Sequence, residues 1–212
     1  MLCGSNTKLP KDAISSRPSP IVAHIVATTE DGLIGIGDKL PWGMVKEDMA
    51  FFKYKTLNRI VVMGYNTILS LPFKLPYRYM VGVCSPCRDT DPVFDSRVDS
   101  TVPPTAPSSP CSWLRQISCL INQDDEKTYD YSISTDIVFI AGGGKIYADS
   151  LLDTDVVFRN VIRKDRSLYP TEGKKVYYPL EKLKQHFTLV SFEEVPLTGG
   201  GYMNKEIWVK PR

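Results

Sequence analysis

The feature that most limits what this chain can fold into is a set of short apolar runs that do not alternate with polar residues. Ile21 to Thr28 (IVAHIVAT) is nearly continuous and rich in β-branched side chains, as a central strand buried on both faces must be. Arg59 to Met63 (RIVVM), Tyr79 to Cys84 (YMVGVC), Ile137 to Ala141 (IVFIA) and Val156 to Ile162 read as further strands. Stretches of helical spacing fall between or after them: the run after Trp42, Tyr65 to Leu71, Trp113 to Ile121, Lys145 to Leu152 and Leu180 to His186. Thr188 to Glu194 and Met203 to Lys210 read as a closing hairpin around Gly199-Gly200-Gly201. The alternation predicts an α/β three-layer sandwich: a central mixed, mostly parallel β-sheet flanked by helices, with an antiparallel C-terminal edge hairpin. Ligands of such sheets bind beyond the carboxyl ends of the strands.

Composition narrows the function classes. The 212 residues suffice for one sizeable domain, expected over 21–212, with Met1 to Pro20 as a loosely attached arm. That arm has no hydrophobic stretch and does not read as a secretory signal. A polar, proline-rich insertion is expected at about 86–112 (it contains VPPTAPSSP). A net charge of +2 gives no reason to expect nucleic acid or an acidic membrane as partner, and no apolar run approaches the roughly 20 residues of a membrane span. Five cysteines without an export signal point to reduced thiols and a cytoplasmic protein. Cys84-Ser85-Pro86-Cys87 is a CxxC, but no second CxxC exists and the histidines are His24 and His186 alone, so no metal site is expected.

One helical stretch carries an acid in an unusual place. In Leu40-Pro41-Trp42-Gly43-Met44-Val45-Lys46-Glu47-Asp48-Met49-Ala50-Phe51-Phe52-Lys53, a 100° step per residue puts Met44, Val45, Met49, Phe51 and Phe52 on one arc. Asp48 falls near the middle of that arc, while Glu47 lies at its edge, within reach of water. Removing a carboxylate from water costs several kcal/mol without a partner, so an acid at the centre of an apolar face marks a site. The alternative is an ion pair with Lys55, close to Asp48 on the same wheel.

Two strand-glycine-helix junctions could take phosphate. Ile137 to Ala141 runs into Gly142-Gly143-Gly144 and the helix behind it, and Met63-Gly64-Tyr65-Asn66-Thr67 repeats the arrangement with a hydroxyl in Thr67. Glycine permits close backbone approach, and a helix start offers free N–H groups. The first is not a GxGxxG, so a tight turn with no ligand stays open for it, but two such junctions in one sheet favour a phosphate-bearing cofactor more than either does alone. Arg78, after Pro76, could grip a carboxylate in a bidentate manner or be a solvated residue at a strand start.

In order along the chain, IVAHIVATTEDGLIG, LPWG, EDMAFFK, TLNRIVVMGYNT, LPYR and IAGGGKIY resemble the dihydrofolate reductase family, over Ile21 to about Ile162, some two thirds of the chain. LPWGMVKEDM, with one residue more between Trp and Asp than the usual bacterial form, looks most like the phage-encoded branch. The resemblance implies NADPH as cofactor and reduction of 7,8-dihydrofolate, by hydride transfer to C6 with protonation of N5. It implies Asp48 and Trp42 as the catalytic acid and the residue closing the pocket. Ile25, Met49 and Phe52 would line the pterin site, Leu75 would pack on the aminobenzoyl ring, Arg78 would bind the glutamate α-carboxylate, and Asn160 would bond the acid. Ala27 and Ile34 would bracket the nicotinamide under a lid from Gly35 to Leu40, with Tyr147 nearby. Gly64, Asn66, Thr67, Cys84, Ser85, Gly142, Gly143, Gly144, Lys145 and Ile146 would hold the rest of the cofactor, and Gly142-Gly143 aligns with the family's cis Gly-Gly bond.

The chain departs from the pattern at several places. Tyr65 stands where a basic residue usually meets the 2′-phosphate, with Lys145, Arg88 or Ser85 as candidate substitutes. A hydroxyl residue usually bonds the acid; here the position counts to Asn160, or to Arg159 after a slip of one. Ala141 replaces a larger aliphatic, and Phe73 stands where an arginine is common. Two alternatives remain: another reductase of the same fold, or a virus-encoded copy with an added structural role. A monomer or a homodimer is compatible with the sequence.

Overall fold

The computed structural model describes residues 20–85, 91–104 and 132–211. In chain order the elements are β1 (Ile21–Thr28), β2 (Leu33–Ile36), α1 (Lys46–Thr56), β3 (Arg59–Gly64), α2 (Tyr65–Ser70), β4 (Tyr79–Val83), α3 (Pro92–Asp95) and β5 (Ser100–Val102). They continue with β6 (Ser134–Ile140), α4 (Gly144–Ser150), β7 (Val156–Arg163), β8 (Lys175–Tyr177), α5 (Leu180–His186), β9 (Thr188–Pro196) and β10 (Tyr202–Val209). Eight strands form one sheet in the order β5-β4-β3-β6-β1-β7-β10-β9, and β2 pairs with β8 in a small second sheet. From β5 to β7 every pairing is parallel; β10 runs antiparallel to both β7 and β9. The mixed sheet with an antiparallel C-terminal edge agrees with the sequence.

The non-alternating runs are buried because helices cover both faces. Val22, Val26, Ile60, Val62, Val138 and Ile140 point to one side, where they pack with Tyr147 and Leu151 of the α4 region and with Tyr178, Leu180 and Leu183 of the α5 region. On the other side Ala23, Ile25 and Phe139 meet Phe51 and Phe52 of α1, and Val61, Met63 and Met80 meet Ile68 of α2 and Phe94 of α3. At about 25 cal/mol per Å² of apolar surface, this two-sided burial is the main stabilising term of the sheet. Because the five core strands are parallel, their carboxyl ends share one edge. Ala27, Gly64, Cys84 and Gly142 all lie at or just beyond it.

His24, fully buried in β1, fastens the α4 layer to the sheet. Ser150 Oγ donates to the Ile146 carbonyl, so it accepts from His24 Nε2–H at 2.9 Å, and His24 Nδ1 accepts from the Tyr178 hydroxyl at 2.8 Å. Burial lowers the imidazole pKa from 6.5 to about 3, so the ring is neutral.

Three expectations need correction. The stretch about 86–112 is not merely a connection: Asp91 caps α3 by accepting from Val93 and Phe94 N–H, and Ser100–Val102 adds a strand to the sheet edge. Three residues, two of them polar, are too few to carry a strand pattern, and pairing with β4 supplies what the local sequence lacks. The Gly-rich segment after β1 contains β2, paired with β8, which local spacing did not reveal for the same reason. The wheel began too early as well. Val45 is extended (φ −119°, ψ 113°) and α1 starts at Lys46, so Met44 leaves the arc and is 80% exposed. The helix expected at Trp113 to Ile121 lies outside the described residues.

Candidate active site

Asp48, in the first turn of α1, faces the sheet and accepts a 2.7 Å hydrogen bond from Asn160 Nδ2 on β7. Asn160 is in register with Ala27 of β1 and Lys205 of β10, so the amide sits in the sheet under the helix. Of the two partners open at the sequence level, Asn160 is the one that meets the acid. Arg159 serves the opposite face, donating to Thr28 Oγ1, to Glu206 and to the Thr29 and Glu30 carbonyls. Nor does Lys55 pair with Asp48: its ammonium lies 4.6 Å from the Phe158 ring centroid, a cation–π position. Desolvation raises the Asp48 pKa above the usual carboxylate range, and the Asn160 hydrogen bond opposes that rise with a smaller effect. Glu47, next in sequence, turns outward and accepts from Thr198 N–H at 2.8 Å and from Thr198 Oγ1 at 2.5 Å, tying α1 to the β9–β10 turn.

The apolar residues expected around the acid fall into two groups. Trp42 is buried with Val45, Ile162, Leu197 and Met203, and Ala27 packs against this cluster. Ile25, Phe52 and Ala141 form the wall on the other side, and Phe52 also joins the cluster that Leu75 packs against. Met49 is 45% exposed on the outer margin of α1. Arg78 is 4% exposed and held by Thr56 Oγ1 (3.1 Å), the Pro76 carbonyl (2.7 Å) and the Lys53 carbonyl (3.3 Å). Those bonds fix its guanidinium plane at the C-terminal end of α1 and contradict the picture of a solvated strand-start arginine. Phe73 is exposed.

The two glycine junctions are bonded to each other, since Gly64 N–H donates to the Gly142 carbonyl at 3.1 Å. Gly142 tolerates no Cβ, which would stand 2.4 Å from Thr67 Cγ2, and Gly143 has φ +94°. Thr67 thus lies directly beside Gly142-Gly143, with Asn66 exposed at the start of α2 and Ile146 packed over Gly64. The described residues contain no cis peptide bond, which corrects the cis Gly142-Gly143 implied by resemblance: the turn is made with a trans link and two positive φ values. The start of α4 leaves backbone N–H groups without helical acceptors beside Thr67, a donor set suited to phosphate oxygens. Lys145 points elsewhere, to Asp149 at 2.6 Å, because the two are four residues apart on an exposed helix face. Tyr65 gives its hydroxyl to Asp91 and stacks on Phe94 at 4.8 Å. Cys84 is a free, half-buried thiol at the end of β4, followed by exposed Ser85. Arg88 lies outside the described residues.

The lid residues are anchored through β8. Gly35 pairs with Val176, Gly37 N–H donates to the Lys174 carbonyl at 2.9 Å, and Ile34 reaches the neighbourhood of Gly144, while Leu40 is exposed. Tyr147 of α4 donates its hydroxyl to the Ile25 carbonyl at 2.7 Å; burial first, and the nearby Asp48 charge second, raise its pKa. Sequence reasoning named Arg159 only as an alternative partner for the acid and did not single out the anchoring groups Glu206 and Tyr178. A buried arginine in a strand pattern was the available signal for Arg159.

Comparison with known proteins gives one consistent relationship. A family model described as dihydrofolate reductase matches residues 21–97. The type 8 dihydrofolate reductase of Escherichia coli is 46% identical over 54 residues, 26% of this chain but only 32% of that relative's length. The dihydrofolate reductase of Enterococcus faecium is 26% identical over 168 residues, covering 79% of this chain and 86% of the relative. A solved Enterococcus faecalis dihydrofolate reductase, complexed with NADP(H) and RAB-propyl, superposes with a TM-score of 0.63 at 19% identity, covering 92% of this chain and 98% of that one. The fold is therefore that of the dihydrofolate reductases, and residues 21–97 match the model of that family.

Proposed function

We propose that this protein reduces 7,8-dihydrofolate to 5,6,7,8-tetrahydrofolate with NADPH as cofactor. The observation that carries the reading is a single desolvated carboxyl, Asp48, held by Asn160 at the carboxyl edge of a parallel sheet, with glycine-lined phosphate-type junctions along the same edge. NADPH, when bound, supplies the hydride. The side chains divide the remaining tasks. Asp48, whose pKa burial raises, binds a proton more readily than an exposed carboxylate and can help deliver one to N5. Trp42 and the cluster around it exclude water on one side, and Ile25, Phe52 and Leu75 supply apolar walls on the other. Arg78, pre-set by its three bonds, is suited to orient an approaching glutamate carboxylate. Thr67, Asn66, Gly64, Gly142 to Ile146, Cys84 and Ser85 form the proposed cofactor cradle, with Ala27, Ile34, Tyr147 and the lid from Gly35 to Leu40 at the nicotinamide end.

The phrase LPWGMVKEDM supports assignment to the phage-type branch, and free Cys84 fits a reducing cytoplasm. No helix of the described residues is long and apolar enough to cross a membrane. The test is direct: purified protein, NADPH and dihydrofolate are mixed and the reduced-nicotinamide absorbance is followed, then the assay is repeated with NADH. Oxidation that requires dihydrofolate is the expected result. No oxidation with either nucleotide would overturn the proposal.

A further inference from the structure

The two edges of the main sheet are finished differently. At one end stands β5, a strand of three residues, too short to template pairing with another chain. At the other stands β9, nine residues long, which pairs with β10 on one side and with no described strand on the other. At about 3.3 Å per residue it presents roughly 30 Å of backbone edge. Edge strands are normally guarded by lysine, by proline or by a bulge. β9 has no lysine, and its proline is the last residue. Its bulge, at Val190 opposite the step from Ile207 to Trp208, leaves residues 191–196 in regular register with β10. The edge is also apolar: Leu189, Val190 and Phe192 are 41%, 58% and 56% exposed. Leu189 is opposite Trp208 and Phe192 opposite Glu206, which puts both on the sheet face where Trp208 packs with Leu183 and Phe187 of the α5 region.

We propose that a second copy of this chain covers this edge, with β9 pairing antiparallel to β9 of the copy about a two-fold axis near Phe192. Charge selects this occupant. The first half of β9 follows α5, whose last turn carries Lys184 and His186, and the second half carries Glu193 and Glu194. Glu193 is matched by Lys205 at 3.3 Å, whereas Glu194 has no cation partner among the described residues. Lys184 reaches only Glu181, at a loose 3.8 Å. A two-fold axis sets each strand against its own reverse, so the acidic half of one copy lies toward the basic start of the other. An axis near Phe192 also places the two Phe192 rings side by side. It puts Glu193 and Glu194 opposite Ser191 and Val190 of the copy, and so keeps glutamate away from glutamate. The pairing gives partners to the outward N–H and C=O groups of β9 and removes Leu189, Val190 and Phe192 from water. It does not depend on the reductase reading.

The test is sedimentation velocity on the full chain, with the protein concentration raised to about 100 μM. The wild type is expected to be a dimer. Phe192→Lys places the residue that guards natural edges at the centre of the pairing and should raise the dimer Kd at least about tenfold. Glu194→Lys and Lys184→Glu should each raise it about three- to tenfold at low salt, and Glu194→Lys/Lys184→Glu should return it to within about threefold of wild type. All three side chains are exposed, and an unchanged Tm at a concentration where every form is monomeric confirms that each variant folds. A wild type that stays monomeric overturns the proposal, whether water or the chain's own arm then covers the edge. A dimer that Phe192→Lys leaves intact overturns it too, as do charge reversals that have no effect or that the double variant does not rescue. Assemblies of more than two copies would also overturn it, because a two-fold pairing closes on itself.

Discussion

Replacing Asp48 by Asn separates the chemistry of the site from its construction. The substitution is isosteric, and Asn160 Nδ2 can still donate to the new side-chain oxygen, so the 2.7 Å contact and the fold survive. What disappears is the titratable carboxyl, whose affinity for a proton burial has raised. No neighbour can substitute for it. The Tyr147 hydroxyl is committed to the Ile25 carbonyl and its pKa is pushed up, while Glu47 faces Thr198. Loss of a positioned general acid costs about 10²- to 10⁴-fold, so turnover at pH 7 should fall by at least about a hundredfold, and the deficit should shrink in acid as solvent protonates the substrate. The assay is NADPH oxidation between pH 5 and 8. Turnover within about threefold of wild type at pH 7 would refute the reasoning.

Stability should move in the opposite direction. The folded-state pKa of Asp48 lies above its unfolded value, so the folded protein binds this proton more tightly and the ionised form opposes folding. That penalty is absent below the unfolded pKa and grows as pH rises toward the folded one. Asp48→Asn should therefore melt at a higher temperature than wild type at pH 7, and at nearly the same temperature near pH 3.5. A variant less stable at pH 7 would mean that the bond to Asn160 outweighs desolvation.

Glu47→Gln is expected to keep turnover within about threefold, since Glu47 faces the hairpin turn and not the site. Its bonds to Thr198 lower the Glu47 pKa, so they stabilise the fold above the unfolded pKa; the variant's melting temperature should be lower at pH 7 and rejoin wild type in acid. Arg159→Met should cost about 3 kcal/mol in urea unfolding by leaving the largely covered Glu206 carboxylate with only Trp208 Nε1–H as partner, and Arg159→Met/Glu206→Met should recover more than half of that. Neutral His24, with its pKa lowered from 6.5 to about 3, binds a proton only after unfolding over most of that window. Wild-type stability should fall by up to about 1.4 kcal/mol per pH unit from pH 6 toward 5, and His24→Gln should flatten the slope in urea titrations at each pH.

How far the sequence reached depended on the range of each interaction. The strands that form the core were legible because burial on both faces writes itself into consecutive residues: IVAHIVAT and RIVVM need no partner to be recognised. Ser100–Val102, Leu33–Ile36 and Lys175–Tyr177 were not, because three or four residues are too short to show a pattern and become strands only through the backbone groups of a neighbour distant in sequence. The same division runs through the site. Asp48 was visible as a local contradiction, an acid inside an apolar arc, even though Met44 and Met49 were less buried than that arc implied. Its partner was not visible locally, since Asn160 lies 112 residues away and the count that gave Asn160 left Arg159 open after a slip of one. Strand geometry separates the two, because adjacent residues on β7 point to opposite faces. Once Ala27 and Asn160 are in register, Asn160 must face α1 and Arg159 must face the buried network of Thr28 and Glu206. A residue count with an error of one therefore decides whether the acid meets an amide or a guanidinium. A guanidinium in the place of Asn160 would hold the carboxylate ionised and work against the desolvation that raises its pKa.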